Sequence, residues 1–151
     1  MTTTTPRRSG GLGRVLIAVY GLLALAATGR SVYQIFSEFD HAPLAYSLSA
    51  LAGVVYIVAT IALLAPGDTW YRVAWITISF ELVGVLVVGL LSYLDPILFT
   101  EKAVWSFFGR GYGYVPLVLP ILGMIWLYRT RPRVVEGVPA APAAAGSDAR
   151  S

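Results

Sequence analysis

The sequence predicts an all-α, polytopic membrane protein with four transmembrane helices and both termini in the cytoplasm. Three observations carry that expectation. Of 151 residues, 57% are hydrophobic and only 13% charged, where a soluble domain carries about 25% charged residues. The apolar residues gather into runs too long for one soluble core of this size to cover, and the mean hydropathy is +0.72. The cationic residues flank those runs instead of forming one patch, which is a pattern of membrane orientation and not of nucleic-acid binding.

The spans follow in order. Residues 1–13 are rich in Thr, Arg and Gly and are expected to be disordered and cytoplasmic. The first span covers residues 14–36: an apolar run to Ala27, then an amphipathic continuation past Arg30. The second, residues 42–64, carries no charge, and the third, residues 72–94, carries Glu81. Both exceed the roughly 20 apolar residues that a bilayer core requires. The fourth, residues 112–128, reaches that length only if Tyr112, Gly113 and Tyr114 join it. Strict alternation is missing and a closed barrel needs at least eight strands, so strands are not expected. The tail, residues 129–151, is rich in Ala, Pro and Gly and is read as disordered.

Turn residues set the limits. Pro66-Gly67-Asp68 marks a tight turn between the second and third helices. Pro43 suits the first turn of the second helix, where its missing N–H is not needed. Asp95-Pro96 reads as an N-cap with Pro at the first helical position, opening a short helix in the last loop.

Charge sets the orientation. With the N-terminus inside, Arg7, Arg8, Arg14, Arg72, Arg129, Arg131, Arg133 and Arg150 lie inside, against Arg30, Lys102 and Arg110 outside. Interfacial aromatics fit the same frame, with Trp70, Tyr71, Trp75, Trp126 and Tyr128 at the inner surface and Tyr93 and Trp105 at the outer. A rival reading takes Arg7-Arg8 and the following apolar run as a signal peptide cleaved near Ala26, which leaves three spans.

Glu81 is the most informative residue. It lies nine residues past Arg72, about 13.5 Å along the helix and so near the bilayer midplane. A carboxylate there costs about 2.5–3.5 kcal/mol on insertion scales, so it should face the bundle or water and find a partner. Thr77, Glu81, Gly84 and Val88 form one helical stripe. Two roles stand open: a proton or ligand site, or a hydrogen-bonded acid that fixes helix packing. Arg30 is the candidate partner, although a direct pair is stretched by a depth difference of about 10 Å and the alternative is snorkelling to the outer headgroups.

Other residues carry weaker signals. Ala45, Ser49 and Gly53, spaced by four on the second helix, suit close helix approach within the chain or against another protein. Trp105, Phe107, Phe108 and Arg110 read as an amphipathic segment in the outer interface, followed by a Gly-Tyr stretch that permits a tight bend. His41, the single His, stands beside Glu38 and Asp40 with too few ligands for a metal site, and with no Cys there is no disulfide or thiolate chemistry. No nucleophile motif, phosphate loop or dinucleotide fingerprint is present. The expectation is a protein without catalytic residues, metal or cofactor.

From Gly13 to Leu127 the chain resembles a group of small, uncharacterised four-helix membrane proteins of actinobacteria. The resemblance is carried by Ala42-Pro-Leu-Ala-Tyr-Ser-Leu-Ser-Ala, by Phe80-Glu-Leu-Val-Gly-Val-Leu-Val-Val-Gly, and by Val104-Trp-Ser-Phe-Phe-Gly-Arg-Gly-Tyr-Gly-Tyr-Val-Pro-Leu. It implies an inner (plasma) membrane location and four spans, and supplies no site residues. The functional expectation is a non-enzymatic accessory protein that packs against a larger membrane complex. The alternatives are a small oligomeric carrier or channel using Glu81, and a lipid-binding protein with Arg30 and Arg110 facing headgroup phosphates. Partners are the bilayer and either another membrane protein or further copies of this chain, with no nucleic acid.

Overall fold

The computed structural model describes residues 10–132, all-helical apart from turns and connections, with no strand among them. Four α-helices follow one another: α1 Gly11–Glu38, α2 Pro43–Leu64, α3 Asp68–Leu94 and α4 Val115–Arg129. Three of them are long and apolar enough to cross a membrane, and the bent pair of Ser106–Tyr112 with α4 brings the total to four if it counts as one span. The expected disordered ends lie mostly outside the described residues, although α1 already begins at Gly11, inside the first of them.

The helices alternate in direction and pack as a ring. α1 packs most extensively on α2, α2 on α3, α3 on α4, and a smaller α1–α4 contact closes the ring. α1 and α3 therefore face each other across a diagonal. The Tyr71 hydroxyl donates to the Leu127 carbonyl at 2.8 Å and fastens the start of α3 to the end of α4. At the other end of the bundle lie the short 3-10 turn Phe39–His41 and the long α3–α4 connection.

The surface is inverted relative to a soluble bundle. Large apolar side chains line the outside of every helix, Leu25 at 76% and Ile76 at 71% exposure among them, while polar Ser31, Ser49, Thr77, Glu81 and Ser92 are buried. A soluble monomer rarely tolerates such a continuous apolar surface, whereas a lipid-facing one requires it. The small hydroxyls are neutralised locally: Ser31, Ser49 and Ser92 each donate to the carbonyl four residues earlier.

The expected turn residues do what their chemistry suggests. Gly67 takes φ +107, open only to Gly at low cost, between α2 and α3. Pro43 stands in the first turn of α2. Asp95 Oδ1 accepts the backbone N–H groups of Ile97 at 3.2 Å and Leu98 at 3.4 Å, but what it caps is a turn over residues 96–99 and not the short helix expected there.

The fourth helix differs from expectation. Tyr112 ends the 3-10 segment and Tyr114 is left-handed at φ 61, so residues 112–114 do not extend α4. The segment before α4 meets it at 98°. α4 alone has 15 residues, about 22 Å of helix, which is short for a bilayer core.

Candidate functional site

The site is built around Glu81 on the diagonal of the ring. Glu81 sits at the middle of α3 and is fully buried. Tyr20, fully buried at the middle of α1, donates its hydroxyl to Glu81 Oε2 at 2.7 Å. Gly123 of α4 packs beside it: a Cβ there would touch the Tyr20 oxygen at an ordinary 3.6 Å and press on Ile78 Cδ1 at 3.1 Å. Tyr56, fully buried at the middle of α2, stacks obliquely on Tyr20 with ring centroids 6.2 Å apart. Glu81 Oε1 is buried without a hydrogen-bond partner.

The fourth wall is not a helix. Trp105, from the α3–α4 connection, is buried to 1% exposure, and its indole Nε1–H donates to the Tyr56 hydroxyl at 2.9 Å. Its six-membered ring lies on Gly84, one turn beyond Glu81 toward the connection. A Cβ at Gly84 would come within 2.6 Å of Trp105 Cζ3, a distance real atoms do not adopt. Phe80 meets the indole edge-on at 6.5 Å.

The connection is anchored at several points. Arg30 Nη2 donates to the Lys102 carbonyl at 3.0 Å and its Nε to Gln34 Oε1 at 3.3 Å. The Val104 N–H donates to Ser49 Oγ at 3.3 Å, and the Ala103 N–H to Ser106 Oγ at 2.9 Å. Phe107 packs edge-on against Tyr93 at 5.0 Å, and Phe108 fills the notch that Gly89 leaves in α3. Phe107, Phe108 and Gly109 are consecutive left-handed residues, and a non-glycine residue in that region costs about 1–2 kcal/mol. Gly109 at φ +80 lies against the Pro116 ring, where a Cβ would approach within 2.8 Å.

The structure thus redistributes the expected site residues. Thr77, Glu81 and Gly84 do share one face of α3, and it points into the bundle. Arg30 is not the partner of Glu81. It stands nearly three turns beyond Tyr20 along α1, about 15 Å from the level of the acid, and donates to the nearer carbonyl of Lys102 instead. Ala45, Ser49 and Gly53 are buried within the chain: a Cβ at Gly53 would lie 3.1 Å from Thr28 Oγ1 of α1. Trp105 is no interfacial residue, because its large ring gains more from burial against Gly84 and its N–H finds the Tyr56 oxygen. Trp126 of the expected inner belt is likewise buried. Phe107 and Phe108 are half-buried against the bundle, and Arg110 is exposed.

Tyr20 and Tyr56 were not among the expected site residues. The signal for them was present: both stand in the middle of apolar runs, far from the interfaces where Tyr is otherwise placed, and a buried phenol needs a polar partner. His41 lines a shallow polar cleft with Glu38, Tyr46, Thr100 and Glu101 at the connection end. Among the described residues no three His, Asp or Glu side chains group as a metal site.

Comparison with protein families, with curated proteins and with solved structures finds no match to this chain. Any functional reading therefore rests on the residues themselves.

Proposed function

We propose that the chain is a multi-pass membrane protein with four spans and cytoplasmic termini, and that it serves as a non-enzymatic accessory subunit packed against a larger complex in the plasma membrane. The observation that carries the reading is a groove on the outer face of α1 and α2. It is lined by Gly21, Ala24, Leu25 and Thr28 of α1 and by Ile57, Thr60 and Ile61 of α2, with an apolar surface. Gly21, Ala24 and Thr28 fall at i, i+3 and i+7, so the small residues form a continuous line. The rest of the exposed belt is mostly large side chains, with Ala18, Ala26 and Gly29 of α1 also exposed. A line of small residues at mid-helix lets a second backbone approach closely, which is how transmembrane helices associate. The occupant proposed is therefore one transmembrane helix of the partner.

Four spans and cytoplasmic termini are supported by the distribution of Arg and Lys and by the apolar character of α4. Affinity isolation in mild detergent tests the subunit assignment. The expected result is stoichiometric recovery of a larger membrane protein. Recovery of a lone homo-oligomer would instead favour a second reading, a small carrier or channel using Glu81, whose support is the buried, unpartnered Oε1. The lipid-binding reading has an exposed Arg110 and an Arg30 whose guanidinium spends N–H donors on the Lys102 carbonyl and Gln34 but keeps its charge.

A further inference from the structure

We propose that Glu81 is a proton-exchange site inside the bundle and that Trp105 is the plug closing it toward the end that carries the α3–α4 connection. This rests on the second reading above and not on the accessory assignment.

The argument begins with the acid. A carboxyl group kept only to join two helices would have both oxygens satisfied, because an unpaired polar atom in an apolar interior is costly. Glu81 holds Tyr20 on Oε2 and leaves Oε1 bare. The groups around it define its chemistry. They are Tyr20 from α1, Tyr56 from α2, Thr77 and Gly84 on its own helix, Gly123 from α4, and Trp105 from the connection, with Tyr112 half-buried in the same core. None of them is a cationic side chain or a second acid. An acid packed this closely, with a single phenol as donor, has room for a proton and not for an organic ligand.

Access is the second part. Trp105 enters from the connection and lies across Gly84, between Glu81 and that end of the bundle. It is the largest buried side chain of the connection, and its indole N–H is latched by one hydrogen bond, to Tyr56. Just past Ser106, Phe107 and Phe108 hold left-handed backbone that only the docked state compensates. The connection therefore has a reason to undock and one defined side chain to withdraw. Gly84 is what lets the plug seat, since any side chain there collides with the indole.

The test uses the purified full-length chain in lipid nanodiscs. A water-soluble carbodiimide with glycinamide modifies carboxyl groups that meet water, and peptide mass spectrometry reads modification at Glu81. Native protein should modify slowly. Tyr56→Phe, which removes the latch and keeps the ring, should modify about tenfold faster, the effect of losing one hydrogen bond. Trp105→Ala and Gly84→Ala should modify faster still. If Trp105→Ala does not fold, the other two variants, which keep the indole, decide the matter. Equal rates in native protein and in folded Tyr56→Phe and Gly84→Ala overturn the plug. Infrared spectroscopy tests the proton itself: the protonated carboxyl band, assigned by its loss in Glu81→Gln, should shift on transfer to deuterated buffer, slowly in native protein and faster in Tyr56→Phe. A Glu81 carboxyl band that never exchanges in any folded variant overturns the proton-exchange site itself.

Discussion

Tyr20 and Glu81 join α1 and α3, which face each other across the ring without close backbone approach. The 2.7 Å hydrogen bond between them crosses the diagonal of the ring, while the helix contacts run around its edge. It is thus a tie between opposite walls.

That tie should be measurable as a coupling. Tyr20→Phe leaves Glu81 Oε2 buried without a donor, at a cost of about 1–3 kcal/mol. Glu81→Gln retains a carbonyl to accept from Tyr20 and should melt near the native temperature. Glu81→Leu removes the acceptor and should destabilise. The Tyr20→Phe, Glu81→Leu double variant should lose less than the sum of the two single losses, since neither partner is then stranded. Thermal unfolding in detergent reads all four proteins. Strict additivity would show that the hydrogen bond contributes nothing in the membrane-like environment.

Gly53 stands where α1 and α2 approach closely. A Cβ at 3.1 Å from Thr28 Oγ1 is tight, so Ala should be tolerated with a small loss. Leu overpacks the contact and should cost at least about 1–3 kcal/mol. The loss should be one of folding, seen as a lower melting temperature in the isolated chain. A Gly53→Leu protein that melts normally and fails only to assemble with other proteins would place that face outside the bundle, contrary to its burial.

How far the sequence led can be judged from such residues. The all-helical class was legible from the apolar runs, and Gly67 and Pro43 were local signals for the turn before α3 and the start of α2, whereas Asp95 caps only a turn and residues 112–114 do not extend α4. The inward stripe of Thr77, Glu81 and Gly84 was legible from periodicity. The partner of Glu81 was not, since depth along a helix fixes one coordinate and leaves the neighbour across the bundle undetermined. Arg30 was the charge-complementary choice, and Tyr20 won because it lies at the right level. The α3–α4 connection was the least legible. A Trp among Phe and Arg reads as interfacial, and only the notch at Gly84 on α3 reveals that the ring turns inward. Conversely, left-handed Phe107 and Phe108 violate local preference, and tertiary docking alone sustains them.

Orientation offers a separate test. Reporter fusions after Ala65 and after Tyr128 should read cytoplasmic, and a fusion within residues 100–106 should read external. The last of these sits beside Arg30 and Lys102, on the side with fewer cationic residues. An external signal after Tyr128 would show that α4 does not complete a crossing, leaving three spans. Mass spectrometry should find the N-terminus uncleaved; a mature chain beginning near Ala27 would mean that half of α1 is removed, together with Tyr20.

Gly21 separates surface from core on the same helix pair. A Cβ added there meets only Thr60 Cγ2, at 3.9 Å, which is ordinary contact. A larger side chain would enter the groove that Ala24 and Leu25 of α1 share with Ile57, Thr60 and Ile61 of α2. Gly21→Leu should therefore fold and insert like the native chain, with an unchanged melting temperature, and should fill the line of small residues that a partner helix needs. Co-purification of the partner should fall at least about tenfold, the result of losing even 1.4 kcal/mol at a close helix contact. Gly53→Leu supplies the contrast, since it should destabilise the isolated chain first. If Gly21→Leu retains full co-purification, the groove is filled by lipid and the partner helix must dock elsewhere. If it lowers the melting temperature as Gly53→Leu does, the α1–α2 contact is tighter at this level than the 3.9 Å separation implies.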